Sequence, residues 1–207
     1  MKLITVVILT VGVFCQALGQ NKGDSGQSIL DSTTVKYDTY EDVNDLERKK
    51  KELGLDQLTY IDSTFRYQVA IPEWFKIMET GTPYIFGGVL PEVKGIENTI
   101  AIKSFSKSGS TFEEFEEYVV THMIFGQKVR WSDSHVSMGK NSTIEYNEIG
   151  KSYNVYLMQN KLMYYCQYVL IETETAYLWI DYTSTQETFD SNKGKFDEFM
   201  SGFEVLK

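Results

Sequence analysis

The chain has 207 residues, with 29 Asp and Glu against 20 Lys and Arg and a formal net charge of −9. A surface this acidic repels phosphate backbones and anionic headgroups, which argues against nucleic acid and anionic membrane surfaces as partners. Two cysteines and two histidines are too few for a disulfide framework or a zinc cluster.

The N-terminus reads as a secretory leader. Lys2 precedes an apolar run from Leu3 to Phe14, and Ala17-Leu18-Gly19 supplies a small-x-small cleavage site before Gln20. The run is short for a bilayer span, and Thr5, Thr10 and Gly12 interrupt it. Residues 1–19 are therefore predicted to be a signal peptide cut between Gly19 and Gln20. The mature chain is then exported, periplasmic or extracellular, with no stable membrane span after cleavage. Cys15 leaves with the leader. A lipidation cysteine wants small residues before it, and Val13-Phe14 are bulky. Cys166 consequently has no intrachain disulfide partner, and the fold must be held by its core alone.

Residues 20–36, rich in Gly, Ser, Asp, Asn and Thr, read as a flexible leader. Residues 37–57 form an N-terminal helix region, with the helix from about Glu41 to Leu53. Glu41, Asp42 and Asp45 near its start and Arg48-Lys49-Lys50-Lys51 near its end match the helix dipole, and Gly54 suits the C-cap. The basic run is read as a solvated helix end rather than a binding patch.

A single domain is expected over 58–207. About 150 residues bury roughly 70% of their unfolded surface and need no staples. A short strand at 58–61 leads through the turn Asp62-Ser63-Thr64 into a strand at 65–71. There Phe65, Tyr67, Val69 and Ile71 alternate with Arg66, Gln68 and Ala70. Pro72 ends that strand, Trp74 to Met78 forms another, the apolar stretch around Tyr84–Leu90 reads as strand and loop, and 99–105 is a further strand. Thr111-Phe112-Glu113-Glu114 is a capping box opening a helix whose buried face is Phe112, Phe115, Val119 and Met123, with Gly126 as its stop. Glu113, Glu114, Glu116 and Glu117 are read as a solvated face with a dipole-matched first turn, not as a metal or acid–base cluster.

From Lys128 the chain reads as sheet, with strands at 128–137, 143–148, 152–158, 161–171 and 176–183. Asn160 and residues 172–175 supply the last turns. In 161–171 both faces are apolar: Leu162, Tyr164, Cys166, Tyr168 and Leu170 on one, Met163, Tyr165, Val169 and Ile171 on the other. Such a strand needs cover on both sides of its sheet. A helix at 193–200 and a final strand at 202–206 close the chain. The fold class is α+β, a mostly antiparallel β-sheet flanked by helices in an α/β/α sandwich.

The alternating strand Phe65-x-Tyr67-x-Val69-x-Ile71-Pro72-x-Trp74 resembles the opening element of the Mog1/PsbP-like superfamily. The end is similar too: Tyr177-Leu178-Trp179-Ile180-Asp181-Tyr182, a polar break, then Phe196-Asp197-Glu198-Phe199-Met200-Ser201-Gly202-Phe203. The resemblance covers about 60–207 and rests on structural motifs. It implies a central antiparallel sheet between helices. The superfamily includes photosystem accessory subunits, a regulator of a nuclear GTPase and exported bacterial proteins of unclear role, and because most members are binding or accessory modules rather than enzymes, the resemblance implies such a role. No functional residue carries over.

Chemistry-bearing residues are sparse. Cys166 could pair with His122 or His135 as a nucleophile, yet a thiol in an apolar strand has a raised pKa and is inert. Ser132-Asp133-Ser134-His135 holds the ingredients of a triad without a nucleophile elbow or oxyanion loop. No cofactor or metal site is read, and no catalytic residue is assigned. Asn141-Ser142-Thr143 matches a glycosylation acceptor, relevant only in a eukaryotic secretory pathway. Aromatics make up 14% of the chain, with 14 Tyr. Most fall on strand positions and suit the core, whereas Trp74, Tyr84, Phe86 and Trp131 lie in or beside loops, where they could contact a partner.

Three readings remain. The first is an exported non-catalytic binding or accessory module acting through its folded surface, its partner a protein or small ligand in the cell envelope. The second is a small-ligand or lipid-binding domain with an aromatic cleft. The third is a hydrolase using Ser134 or Cys166 with a histidine. A polar-rimmed surface favours the first, an enclosed apolar pocket the second, and a convergent nucleophile–base pair the third.

Overall fold

A computed structural model of the chain describes residues 58–78, 80–120, 136–159 and 162–207, with the side chains of 136–140 and 158–159 excepted. The expected signal peptide and cleavage site, the leader and the N-terminal helix lie outside these residues. So do Met123, Gly126 and Asn160.

Strand β1 (Leu58–Asp62) pairs antiparallel with β2 (Tyr67–Ile71), Asp62 opposite Tyr67. The turn between them is built by Asp62, whose carboxylate accepts the backbone N–H groups of Thr64 and Phe65 at 3.0 and 2.8 Å. Arg66 completes the turn in the left-handed region, φ 60°, so β2 begins two residues later than the alternation from Phe65 predicted. The turn Pro72–Phe75, closed by the Phe75 N–H on the Pro72 carbonyl at 3.0 Å, takes in Trp74. It shortens the next strand, β3, to Lys76–Ile77.

Strands β4 (Ile85–Val89) and β5 (Thr99–Ser106) follow, then helix α1 (Phe112–Tyr118). Both halves of its capping box are present. The Thr111 hydroxyl accepts from the Glu114 N–H at 3.2 Å, and the Glu114 carboxylate accepts from the Thr111 N–H at 2.8 Å. Phe115 and Val119 are buried and Phe112 is half-buried, as the helical spacing required.

Strand β6 (Val136–Thr143) is one strand where two were expected. Residues 128–135 lie outside the described residues, and the expected strand at 143–148 is a turn. Ile144 and Tyr146 mimic strand alternation, but Ile144 is 86% exposed and Tyr146 has φ 62°. The Ile149 and Gly150 N–H groups both donate to the Tyr146 carbonyl at 2.9 Å, reversing the chain. Strands β7 (Lys151–Gln159), β8 (Leu162–Glu172) and β9 (Ala176–Thr185) then form a meander. Helix α2 (Phe189–Ser201) starts four residues before the expected 193, because the Thr188 carbonyl already accepts from the Asn192 N–H at 3.2 Å. Its polar first turn and internal Gly194 hide that start from propensity. Strand β10 (Phe203–Val205) returns to β2.

Seven antiparallel strands make the central sheet in the order β3-β4-β5-β9-β8-β7-β6, and β1-β2-β10 make a separate small sheet. The two-faced character of β8 organises the rest. Val169 and Ile171 on one side pack with Ile100, Ile102, Leu178 and Ile180 against Phe196, Phe199 and Met200 of α2 and against Tyr67 and Val69 of the small sheet. Tyr164, Cys166, Tyr168 and Leu170 on the other side pack with Tyr177 and Trp179 beneath Phe115 and Val119 of α1. The α+β arrangement of an antiparallel sheet covered on both faces is therefore present. The small sheet, which shares the α2-side cover, was not anticipated.

Candidate functional site

On the α2 side, the inner core ends before the sheet does. Beyond it the β7–β8 hairpin leaves an open cleft of ≈ 220 Å³ lined by Asn154, Tyr156, Tyr165, Gln186, Phe189 and Asp190; Cys166 also borders it, although its side chain packs into the α1-side cluster. The register Tyr156↔Tyr165 and Asn154↔Gln167 places the strand contributions side by side on one face. The other wall is the turn after β9 and the first turn of α2.

Three aromatic rings line the cleft. Tyr156 and Tyr165 meet edge to face, centroids 4.8 Å apart and planes at 79°. Tyr165 and Phe189 are 6.1 Å apart at 64°. Phe189 is held from beneath: its ring lies 5.4 Å from that of buried Tyr182, whose hydroxyl donates to the Phe189 carbonyl at 2.9 Å. The Ser184 hydroxyl donates to the Tyr165 carbonyl at 2.7 Å. The Thr188 hydroxyl ties the helix start to buried Asn98 at 2.9 Å. The backbone under the rings is thus fixed from both sides. Among the described residues, the Tyr156 and Tyr165 hydroxyls and the side-chain amides of Asn154 and Gln186 have no hydrogen-bond partner.

The ridge beside the cleft is closed by its own charges. Gln167 donates to Glu145 through Nε2, and its buried Oε1 has no partner among the described residues. Lys193 pairs with Asp197 and, at 3.5 Å, with Glu145, while the Tyr146 hydroxyl donates to Asp197. Burial and the Asp197 carboxylate push the Tyr146 phenol well above its ordinary range, so it stays a donor.

On the α1 side a polar chain crosses the sheet. Lys103 Nζ lies 2.8 Å from Asp181 Oδ2, both side chains 13% exposed, and 3.8 Å over the Trp179 ring. Asp181 Oδ1 accepts from Thr183 at 2.7 Å, and Thr183 Oγ1 is 3.7 Å from Cys166 Sγ. Burial first, and then the Asp181 charge, push the Cys166 thiol up to about 12. The thiol is protonated and non-nucleophilic at neutral pH. His122, Ser134 and His135 lie outside the described residues. The Glu cluster of α1 is divided among structural tasks: Glu114 closes the cap, and Glu116 accepts from Lys151 and the Tyr153 hydroxyl.

The loop aromatics read from the sequence do not come together as one patch. Phe86 lies within β4, 7% exposed and stacked on Tyr60 at 4.0 Å. It is a core residue, because the strand that contains it is buried throughout. Tyr84 is half-buried, tilted against Phe65 at 5.8 Å. Trp74 is half-buried, its indole N–H donating to Glu198 at 2.7 Å. Trp131 lies outside the described residues. Of the cleft residues, Tyr156 and Tyr165 fall on expected strands, where aromatics read as core, whereas Gln186, Phe189 and Asp190 fall in the polar break before the expected helix. One signal could have found them: centring the hairpin between Gln159 and Leu162 pairs Tyr156 with Tyr165 by counting, next to the amides of Asn154 and Gln167.

Among the described residues, no helix is long and apolar enough to cross a membrane, and no group of three or more His, Cys, Asp or Glu could hold a metal ion. No protein-family model and no curated protein sequence matches the chain. Solved structures do. One is a protein of unknown function from Pseudomonas aeruginosa, 14% identical with a TM-score of 0.42, covering 70% of this chain and 93% of that one. A second is cyanobacterial PsbP from Synechocystis, 11% identical with a TM-score of 0.42, covering 72% and 92%. A third is LpqN of Mycobacterium tuberculosis, involved in cell envelope biogenesis, 10% identical with a TM-score of 0.43, covering 68% and 83%. A PsbP, of the superfamily that the strand and helix pattern resembles, is thus among these distant structural neighbours.

Proposed function

We propose that this chain is an exported, non-catalytic binding module that acts through its folded surface, with the Tyr156–Tyr165–Phe189 cleft as its working site and a cell-envelope partner or ligand. The observation that carries the reading is the convergence of three aromatic rings with unpaired hydroxyl and amide groups on one open cleft. Binding energy concentrates in a few aromatic anchors backed by rigid structure. The cleft is open and polar-edged rather than an enclosed apolar chamber, which favours a surface contact over a lipid-holding cavity. Among the described residues elsewhere, the Cys166 thiol is buried, Asp181 is paired with Lys103, Glu114 closes the α1 cap and Glu116 bridges to Lys151 and Tyr153. Half-buried Trp74 and Tyr84, together with Trp131, are secondary contact candidates, whereas Phe86 is buried in β4 and offers no contact surface.

The test is complementation of a host deletion strain. Tyr165→Ala and Phe189→Ala chains that are secreted and retain their circular dichroism should fail to complement. His135→Ala, Ser134→Ala and Cys166→Ala chains should complement. A folded but inactive His135→Ala protein beside fully active cleft variants would overturn the proposal in favour of a hydrolase.

A further inference from the structure

We infer that the Tyr156–Tyr165–Phe189 cleft receives an organic cation, an alkylammonium or guanidinium group. The inference rests on the binding-module reading and specifies its ligand.

The lining groups decide the sign of the ligand. Among the described residues that line the cleft, Asp190 is the one carboxylate and none is Lys, Arg or His. Asp190 is exposed and forms no ion pair among the described residues. Lys193, three residues along the helix, is already engaged by Asp197 and Glu145. Exposed Glu187 adds a second carboxylate in the same turn. Asp190 also matches the α2 dipole. Its negative charge in the first turn of the helix disfavours an external anion there.

The rings supply the second, independent element. Their planes stand at 79° and 64° to one another, so they offer no shared flat surface on which a neutral ring could lie. Aromatic faces carry negative quadrupole potential, and a cation beside several of them is stabilised without a full counter-charge. The phenol hydroxyls and the Asn154 and Gln186 amide oxygens can accept the N–H bonds of an ammonium or guanidinium group. The molecule already uses the same contact internally, with Lys103 3.8 Å from the Trp179 centroid. A formal charge of −9 draws cations to the surface and repels anions. The volume of ≈ 220 Å³ suits one side-chain head or one small ammonium rather than an extended chain.

The experiment is a titration of the exported full chain, purified from its host, followed by the ring resonances of its tyrosines. The probes are tetramethylammonium, arginine amide, a short capped peptide containing one Lys and one Arg, methyl glucoside and inorganic phosphate. The cationic probes should shift Tyr156 and Tyr165, more weakly at high salt, and Asp190→Asn and Tyr165→Leu should each weaken binding roughly tenfold at most. Asp190→Asn changes an exposed side chain and keeps the fold, so the test survives if the Tyr165 variant fails to fold. A peptide that binds far more tightly than free arginine amide identifies the cation as a partner's side chain, and equal affinities identify a free small molecule. Binding of glucoside or phosphate in preference to the cations overturns the inference while leaving a binding cleft in place. No binding by any probe also overturns it. If cleft variants then still complement the deletion strain, the binding-module reading falls as well, and if they do not, it stands.

Discussion

The two faces of the central sheet are built from the same strands by different means. Toward α2 the sheet presents Ile100, Ile102, Val169, Ile171, Leu178 and Ile180 to Phe196, Phe199 and Met200, all buried. Toward α1 it presents tyrosines, a tryptophan and a thiol, with the Lys103–Asp181 pair and Thr183 threaded among them. The first face is held by apolar area removed from water. On the second, much of the specificity lies in hydrogen bonds and charge placement, where removing one partner leaves another stranded. One face should therefore respond to lost volume and the other to lost partners.

The largest effect should come from the apolar face. Phe196→Ala empties a fully buried position and should cost about 4 kcal/mol in urea unfolding. A loss below about 1 kcal/mol would show that α2 is not packed as described.

Next comes the polar face. Asp181→Ala leaves Lys103 without its counter-charge at a site 13% exposed, and should cost about 2 kcal/mol, less than for a fully buried pair because some solvent reaches it. Lys103→Met combined with Asp181→Leu should recover most of that loss. If the double variant is worse than the single one, the ion pair contributes net stability and the partner-stranding account of this face is wrong.

Cys166 tests the same face more finely. Cys166→Ala should cost on the order of 1 kcal/mol, and the folded wild-type thiol should resist alkylation at neutral pH. Its ionisation is pushed up from 9.0 to about 12 by burial. Between these values the unfolded chain binds fewer protons than the folded one, so stability falls as pH rises from about 9 toward about 12 and is unaffected below that range. Buried Tyr67 and Tyr168, both also pushed up by burial, act in the same direction. The Cys166→Ala variant should show a shallower alkaline decline, and an identical slope would contradict the burial of this thiol.

The smallest effect belongs to the α1 cap. Thr111→Ala removes one side of an exposed capping box and should cost about 0.5 kcal/mol, whereas Thr111→Asp should be nearly neutral. Thermal melts that separate the two variants by several degrees more would mean that α1 carries more of the polar face than Phe115 and Val119 imply.

Much of the frame is legible in the amino-acid order, and the reason is local. The Asp62 turn, the Thr111 box and the double apolar pattern of β8 are each encoded within a few residues. Their physics — an Asx turn, a cap, a two-sided burial demand — acts over the same distance. Errors fell where a local pattern had a competing use. Ile144 and Tyr146 alternate like a strand, yet the Tyr146 carbonyl takes two turn hydrogen bonds. Phe86 sits among glycines like a loop residue, yet Gly87 and Gly88 are in β4. A Cβ at Gly87 would come within 2.7 Å of the Ile100 carbonyl, and one at Gly88 within 2.4 Å of the Lys76 carbonyl. These glycines permit close strand approach instead of marking a break.

The amino-acid order by itself determined the acidic net charge, the antiparallel strands and the demand for cover on both faces of the sheet. All of these follow from composition, periodicity and short-range hydrogen bonding. Tertiary structure alone decided which groups meet. Lys103 finds Asp181 across 78 residues, Trp74 reaches Glu198 across 124, and Tyr165 becomes a cleft wall because the first turn of α2 docks beside it. Strand periodicity states which face a side chain occupies. Whether that face is sealed or left open depends on where the covering helix ends, and that is set by packing between elements distant in the chain.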